Sequence, residues 1–188
     1  MTHFVPAAII AFAATLPSPI AGARAAPVML TVPGGRLHLT QQGVHTVLAG
    51  KVRGRSVRVT LPADDGMSPK SLRSARLLGG WPDHVIILST DYASRPGSPY
   101  AECGAGVETV LRIIALEPRI HQSFHKLVAS CWRSIEADTI DWDPRAHRLT
   151  TTLSTPDGNI SVQYEVTPAG AVTTVKEQPA TAGGQSPS

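Results

Sequence analysis

Short β-prone runs separated by turn-forming residues recur along most of this chain, and this alternation is the feature that most limits its fold. The clearest N-terminal example is Val28–Val32, followed by Pro33-Gly34-Gly35 and by residues 36–40, in which apolar and polar residues alternate. Turn residues between two such runs are typical of a β-hairpin. Residues 44–48 and 56–61 predict a second hairpin by the same pattern.

The C-terminal half predicts an antiparallel meander of four strands. The strands are expected over residues 140–142, 149–153, 160–166 and 172–175. They are separated by turn sequences at Asp143-Pro144, Asp157-Gly158 and Ala169-Gly170. Between the two halves, Val85 to Leu88 predicts a strand buried on both faces, and residues 107–116 predict a β-branched strand.

Two segments predict short helices. In residues 68–78 a serine precedes Pro69, which suits an N-cap followed by proline at the first helical position. In residues 118–135 apolar side chains recur three or four positions apart, which is helical spacing, with a strand over 127–131 as the alternative. The predicted fold class is therefore mainly β, a β-rich α+β chain of antiparallel hairpins and a C-terminal meander with one or two short helices.

The first 25 residues differ in composition from the remainder and predict a signal peptide. An apolar run at residues 7–16 leads to small residues that include Ala23 and Ala25, as in an A-x-A cleavage site. The run is about half the length needed to span a bilayer. We expect cleavage after Ala25, with Ala23 as the second choice, and a periplasmic or secreted product that is soluble and does not span the membrane. Residues 26–176 would then form one β-rich domain and residues 177–188 a disordered tail.

The chain has two cysteines, Cys103 and Cys131. In an oxidising compartment an isolated pair is usually a disulfide, and the chain-entropy model gives such a bridge about 3.5 kcal/mol. The competing interpretation makes Cys103 a catalytic thiol, which export disfavours because free thiols oxidise. The absence of a cysteine before Cys103 predicts a product without a lipid anchor.

Positive charge is concentrated in the N-terminal part of the predicted domain. Residues 36–76 hold eight Lys or Arg and two Asp, a balance of 8 − 2 = +6, whereas residues 77–165 hold seven against eleven acids, or −4. The densest group is Lys51, Arg53, Arg55 and Arg58, and strand alternation predicts that Arg53 and Arg55 share one side of a strand. Such a face could contact an acidic envelope or extracellular protein, or an anionic envelope polymer. The alternative is a solvated edge that prevents sheets from pairing. Nucleic acid is not an expected partner, because no aromatic residues interleave with these charges.

Three further groups are candidates for a site. Gly104, Gly106 and Glu108 could let a partner approach the backbone, or the glycines could relieve a tight turn beside the disulfide. His121 and His125 have the i, i+4 spacing of metal ligands on a helix, yet we expect exposed histidines and no metal. The acids around Trp142 lack the EF-hand pattern and are expected to form turns. These acids are Glu136, Asp138, Asp141 and Asp143.

No catalytic motif is present, neither a nucleophile elbow nor a phosphate loop nor a dinucleotide fingerprint. Size, predicted export and a β-rich scaffold favour a binding module that acts by protein–protein contact and needs no cofactor. An inhibitor or protective protein against an envelope-targeting enzyme is one concrete form. One alternative is an envelope hydrolase or metal-dependent enzyme that uses His121 and His125, with Ser89 and Ser130 as candidate nucleophiles. Another is a structural envelope component that binds anionic polymer.

Overall fold

The computed structural model describes residues 26–64, 66–95 and 106–179, without the side chains of Pro69 and Lys70. This part of the chain is mainly β, as predicted, and its twelve strands form three antiparallel sheets of four strands each. The predicted signal peptide, Cys103, Gly104 and residues 180–188 lie outside the described residues. Within residues 26–64, 66–95 and 106–179, no helix has the length and apolar character that crossing a bilayer requires.

Each sheet is a meander in which consecutive strands are neighbours. The first sheet consists of β1 (Val28–Val32), β2 (Gly35–Gln42), β3 (His45–Val52) and β4 (Arg55–Leu61). The middle sheet consists of β5 (Met67–Trp81), β6 (Val85–Ser94), β7 (Val107–Ala115) and β8 (His121–Ser130). The third sheet consists of β9 (Glu136–Asp143), β10 (Arg148–Thr155), β11 (Gly158–Val166) and β12 (Val172–Pro179). The predicted hairpins and C-terminal meander are thereby confirmed, and β12 continues three residues into the segment predicted as a tail.

The two central strands of the middle sheet, β6 and β7, are covered on both faces, which explains the continuous apolar runs at residues 85–88 and 113–116. Ile86, Leu88 and Ile114 pack with the buried residues of the first sheet in one core cluster. Their chain neighbours Val85 and Ile87 pack instead with the buried residues of the third sheet in a second cluster. Because adjacent residues of a strand point to opposite faces, the molecule is a sandwich of three β layers.

Both helix predictions are wrong, because β5 and β8 occupy those segments. The register of β8 against β7 skips Ser123 and Val128, which have no partner across the ladder. Each extra residue of this kind is a β-bulge that reverses the faces taken by the residues after it. Buried apolar residues are then no longer strictly two positions apart along the strand, and some fall three or four positions apart, as they do in a helix. β5 has three similar register shifts against β6.

A buried arginine joins the first and middle sheets. Arg112 in β7 is fully buried, and its Nη2 donates to the carbonyl oxygen of Pro62, just after β4, at 2.9 Å. Its Nε donates to Thr90 Oγ1 and its Nη1 to Gln122 Oε1, at 2.9 and 2.8 Å. Tyr92, whose ring also faces this guanidinium, donates from its hydroxyl to Thr46 Oγ1 in β3 at 3.0 Å. A buried charge requires this degree of hydrogen bonding to be tolerated.

Candidate functional site

Four chain connections meet at one end of the interface between the first and middle sheets. Two are the hairpin turns of the first sheet, at Pro33-Gly34 and Arg53-Gly54, and two are the middle-sheet connections over residues 82–84 and 116–120. The turns of the first sheet touch each other, since the Arg53 N–H donates to the Gly34 carbonyl oxygen at 2.7 Å. We call this region the turn end.

A cavity of about 140 Å³ opens between the two sheets at the turn end. Its floor is aliphatic and comes from both sheets, and its rim is charged. The lining residues are Val52, Arg53, Arg55, Val57, Asp83, Leu116 and Ile120. We call it the turn-end pocket. An aliphatic floor with a few placed charges is the usual composition of a binding pocket.

Two ion pairs cross the rim of the turn-end pocket. Arg53 Nε lies 2.6 Å from Asp83 Oδ1, although this nitrogen is not aligned for a hydrogen bond with that oxygen. Arg55 Nη1 donates to Glu117 Oε1 at 2.8 Å, and its Nη2 donates to the Leu116 carbonyl oxygen at 3.1 Å. All four charged side chains are partly exposed, so each pair contributes at most about 1 kcal/mol to stability. Their main effect is to hold the arginine side chains in place.

A wider crevice continues from the turn-end pocket past Arg55. Its volume is about 380 Å³, and its other walls come from the β7–β8 connection, from the turn before β6 and from the third sheet. These walls are His84, Glu117, Pro118, Pro168 and Ala169. His84 Nδ1 lies 3.3 Å from Glu117 Oε2. The pocket and the crevice are neighbours, since the Arg55 side chain lines both.

The outer face of the first sheet carries unpaired positive charge. Residues 26–61, which include the whole sheet, contain five Lys or Arg residues and no Asp or Glu. Arg36 and Lys51 are directly opposite each other on β2 and β3. Arg58 pairs with Ala49, two positions from Lys51, and therefore shares its face. All three side chains are exposed, and none of them makes an ion pair with another residue in the described ranges. We call Arg36, Lys51 and Arg58 the basic face.

The structure divides the basic cluster predicted from the sequence. Lys51 and Arg58 lie on the basic face, and Arg58 faces solvent as predicted because Val57 and Val59 point inward. The prediction that Arg53 and Arg55 share a strand face is wrong, because Arg53 is in the turn with φ of 46° and Arg55 begins β4. Both arginines belong to the rim of the pocket. Arg36 was missed, since only the register of β2 against β3 places it opposite Lys51.

Glu108 and Gly106 form a buried structural cluster away from the turn end. Glu108 is fully buried, and its Oε1 accepts hydrogen bonds from the Ser94 hydroxyl and from the Trp132 N–H, at 2.6 and 3.1 Å. Its Oε2 has no hydrogen-bond partner among the residues that the structure describes. A Cβ atom on Gly106 would lie 2.5 Å from Cys131 Cβ, so this glycine is required by close packing. The geometry favours the structural interpretation of these two residues over partner contact.

Gly106 and Val107, which follow Cys103 closely in the chain, both contact Cys131. Besides the contact with Gly106, the Cys131 N–H donates to the Val107 carbonyl oxygen at 3.4 Å. No free cysteine occurs among the described residues. The bridge to Cys103 stays a prediction, because that residue lies outside them.

His121 and His125 do not share a face in β8. They pair with Ala115 and Arg112 of β7, which are three positions apart on a strand that is regular against β6, so the imidazoles point to opposite sides of the sheet. The described ranges hold no group of three or more His, Cys, Asp or Glu side chains that could bind a metal ion. Ser89 and Ser130, the candidate nucleophiles, are both buried.

Asp143, one of the acids around Trp142, closes the turn between β9 and β10. Its Oδ1 accepts hydrogen bonds from the N–H groups of Arg145 and Ala146, at 2.8 and 3.0 Å. These two donors hold the pKa of the Asp143 carboxyl below its ordinary value, that of Ala146 having the larger effect. The turn-forming role expected for the acids around Trp142 is therefore confirmed for Asp143. It is wrong for the other three, which lie in strand β9: Glu136, Asp138 and Asp141.

No protein-family model matches the chain, and neither a curated protein nor a solved structure shows detectable similarity to it.

Proposed function

We propose that this protein is an exported binding module that acts by contact with an acidic protein, and that the basic face and the turn-end pocket form its contact surface. The single observation that supports this most strongly is the cross-strand pair of Arg36 and Lys51. Like charges directly opposite each other destabilise a sheet. A bound anionic surface would remove that repulsion, whereas the first sheet has no carboxylate of its own to do so.

An exposed apolar side chain beside these charges favours a protein over a polymer as the partner. Met29 in β1 is 61% exposed. It lies in the same cross-strand row as Arg58, through His38 and Ala49. Methionine is enriched at protein interfaces because its flexible thioether adapts to varied surfaces, and a sugar or phosphate polymer offers it little to bury against. An inhibitor or protective protein in the envelope remains the concrete form that we propose.

Anionic envelope polymer is the second candidate, favoured by the charge of the basic face alone. Protein and polymer can be separated by capture from envelope and secreted extracts. The wild-type protein is compared with Lys51→Glu/Arg58→Glu and with Arg145→Glu/Lys176→Glu, a control with the same change of net charge on the exposed surface of the third sheet. Mass spectrometry identifies proteins, and sugar and phosphate analysis identifies polymer.

We expect a stoichiometric protein that the wild type and the control retain and that the Lys51/Arg58 variant loses. A captured polymer with the same dependence, and no protein, would replace our proposal with the second candidate. Equal capture by all three proteins would remove the basic face from the contact surface.

A further inference from the structure

We propose that the turn-end pocket is an anchor site for one aliphatic side chain of about leucine size, which the partner protein presents beside a carboxylate. This inference rests on the proposed function, and it specifies the chemistry of the partner at one point. None of the residues that line the turn-end pocket belongs to the basic face.

The size and chemistry of the pocket fit a single aliphatic group. Val52, Val57, Leu116 and Ile120 supply its floor, and the volume is about 140 Å³. An enclosed apolar cavity of about 150 Å³ can bind a molecule of the size of benzene, so this volume is sufficient for one aliphatic side chain. Water over the aliphatic floor, away from the charged rim, has few of the two or more polar partners that it needs. An aliphatic side chain would therefore displace poorly bound water and bury its own apolar surface.

The pocket is held open by contacts that are already formed. Val52 and Val57 lie on either side of the β3–β4 turn, whereas Leu116 and Ile120 come from the β7–β8 connection of the middle sheet. The Arg53 side chain is packed against Gly34, where a Cβ atom would lie only 2.6 Å from Arg53 Cγ. Because these groups need no further ordering, a partner would lose little entropy in fixing them.

The rim specifies a carboxylate next to the aliphatic group. The ion pair of Arg53 uses Nε, and its two terminal nitrogens have no hydrogen-bond partner among the described residues. A guanidinium in this state can donate two parallel hydrogen bonds to a carboxylate. Asp83 and Glu117 balance the charges of Arg53 and Arg55 at the rim, so the preference comes from unused hydrogen-bond donors and not from net charge. The two terminal nitrogens of Arg53 thus favour an acidic residue adjacent to the anchor.

Three blocked dipeptides test both parts of this inference on the wild-type chain. N-acetyl-Leu-Asp-amide carries both groups, N-acetyl-Ala-Asp-amide lacks the aliphatic group, and N-acetyl-Leu-Asn-amide lacks the charge. Methyl NMR signals of Val52, Val57, Leu116 and Ile120 report on the pocket during titration. We expect saturable shifts with Leu-Asp, about tenfold weaker binding with Ala-Asp, and several-fold weaker binding with Leu-Asn. The preference for Asp over Asn should disappear in Arg53→Gln.

A pocket-filling variant then tests the anchor in the complete complex. Ile120→Trp should occupy the cavity and reduce partner affinity about tenfold or more, whereas Ile120→Val should change it little. Thermal unfolding of both variants checks that they are folded, and the dipeptide titration needs no variant. A partner that is lost by Lys51→Glu/Arg58→Glu but bound normally by a folded Ile120→Trp, with no shifts from any dipeptide, would overturn the anchor and leave the proposed function intact. If the wild-type protein binds the dipeptides but captures no protein from the extracts, both the anchor site and the proposed function are overturned, and the cavity is a small-molecule pocket.

Discussion

The guanidinium of Arg55 lies 2.8 Å from the carboxylate of Glu117, and this pair joins the first sheet to the middle sheet beside the turn-end pocket. At the other end of β4, the buried guanidinium of Arg112 donates to the carbonyl oxygen of Pro62. The two arginines contribute unequally to the stability of the fold. The exposed pair contributes at most about 1 kcal/mol, whereas the loss of Arg112 would leave the buried hydroxyl of Thr90 without its donor.

Replacing Arg112 with Met should lower the free energy of unfolding by about 2–4 kcal/mol, because the buried Thr90 hydroxyl and the part-buried oxygens of Gln122 and Pro62 lose their donor at once. Urea denaturation measures this change. Arg145→Met, in an exposed turn, is the control and should stay within about 0.5 kcal/mol of the wild type. Equal stability of the two variants would show that the Arg112 contacts do not hold the sheets together.

The predicted Cys103–Cys131 bridge should contribute about 3.5 kcal/mol through the entropy of the unfolded chain. Changing both residues to Ala should lower the free energy of unfolding by about that amount. The contacts of Gly106 and Val107 with Cys131 are consistent with a bridge between Cys131 and the nearby Cys103. Thiol titration of the denatured, unreduced protein should find no free thiol, and two reactive thiols would refute the bridge.

The depressed pKa of Asp143 should add to stability above the pKa that this residue has in the unfolded chain. That contribution should disappear as the pH falls through the lower folded-state pKa, because the neutral carboxyl is a poorer acceptor for the Arg145 and Ala146 amides. An NMR titration of the side-chain carboxyl measures the pKa directly. Asp143→Asn keeps an acceptor oxygen but cannot titrate, so it should remove this part of the acid sensitivity. An ordinary pKa in the wild-type protein would contradict this account.

The elements that could be predicted from the sequence are those determined by a few neighbouring residues, above all the hairpin turns. Pro33-Gly34 and Asp157-Gly158 marked real turns because turn residues fix the backbone within two or three positions. The bulges at Ser123 and Val128 were not visible, since an extra residue is defined only against a partner strand. The same limit applies to the site. Positive charge near Lys51 could be read from the sequence, but its separation into a basic face and a pocket rim depends on register and on how two sheets meet.

The most direct test of the contact surface is the rate of association with the captured partner as a function of salt. Exposed charges are screened beyond about 10 Å at 0.1 M salt, so the association rate of the wild type should fall steeply as salt is added. Lys51→Glu/Arg58→Glu should associate slowly and lose most of the salt dependence, with a dissociation rate near that of the wild type. The Arg145→Glu/Lys176→Glu control should behave like the wild type. An association rate that is independent of salt and unchanged by the Lys51/Arg58 reversal would contradict the proposal that the basic face binds an acidic protein.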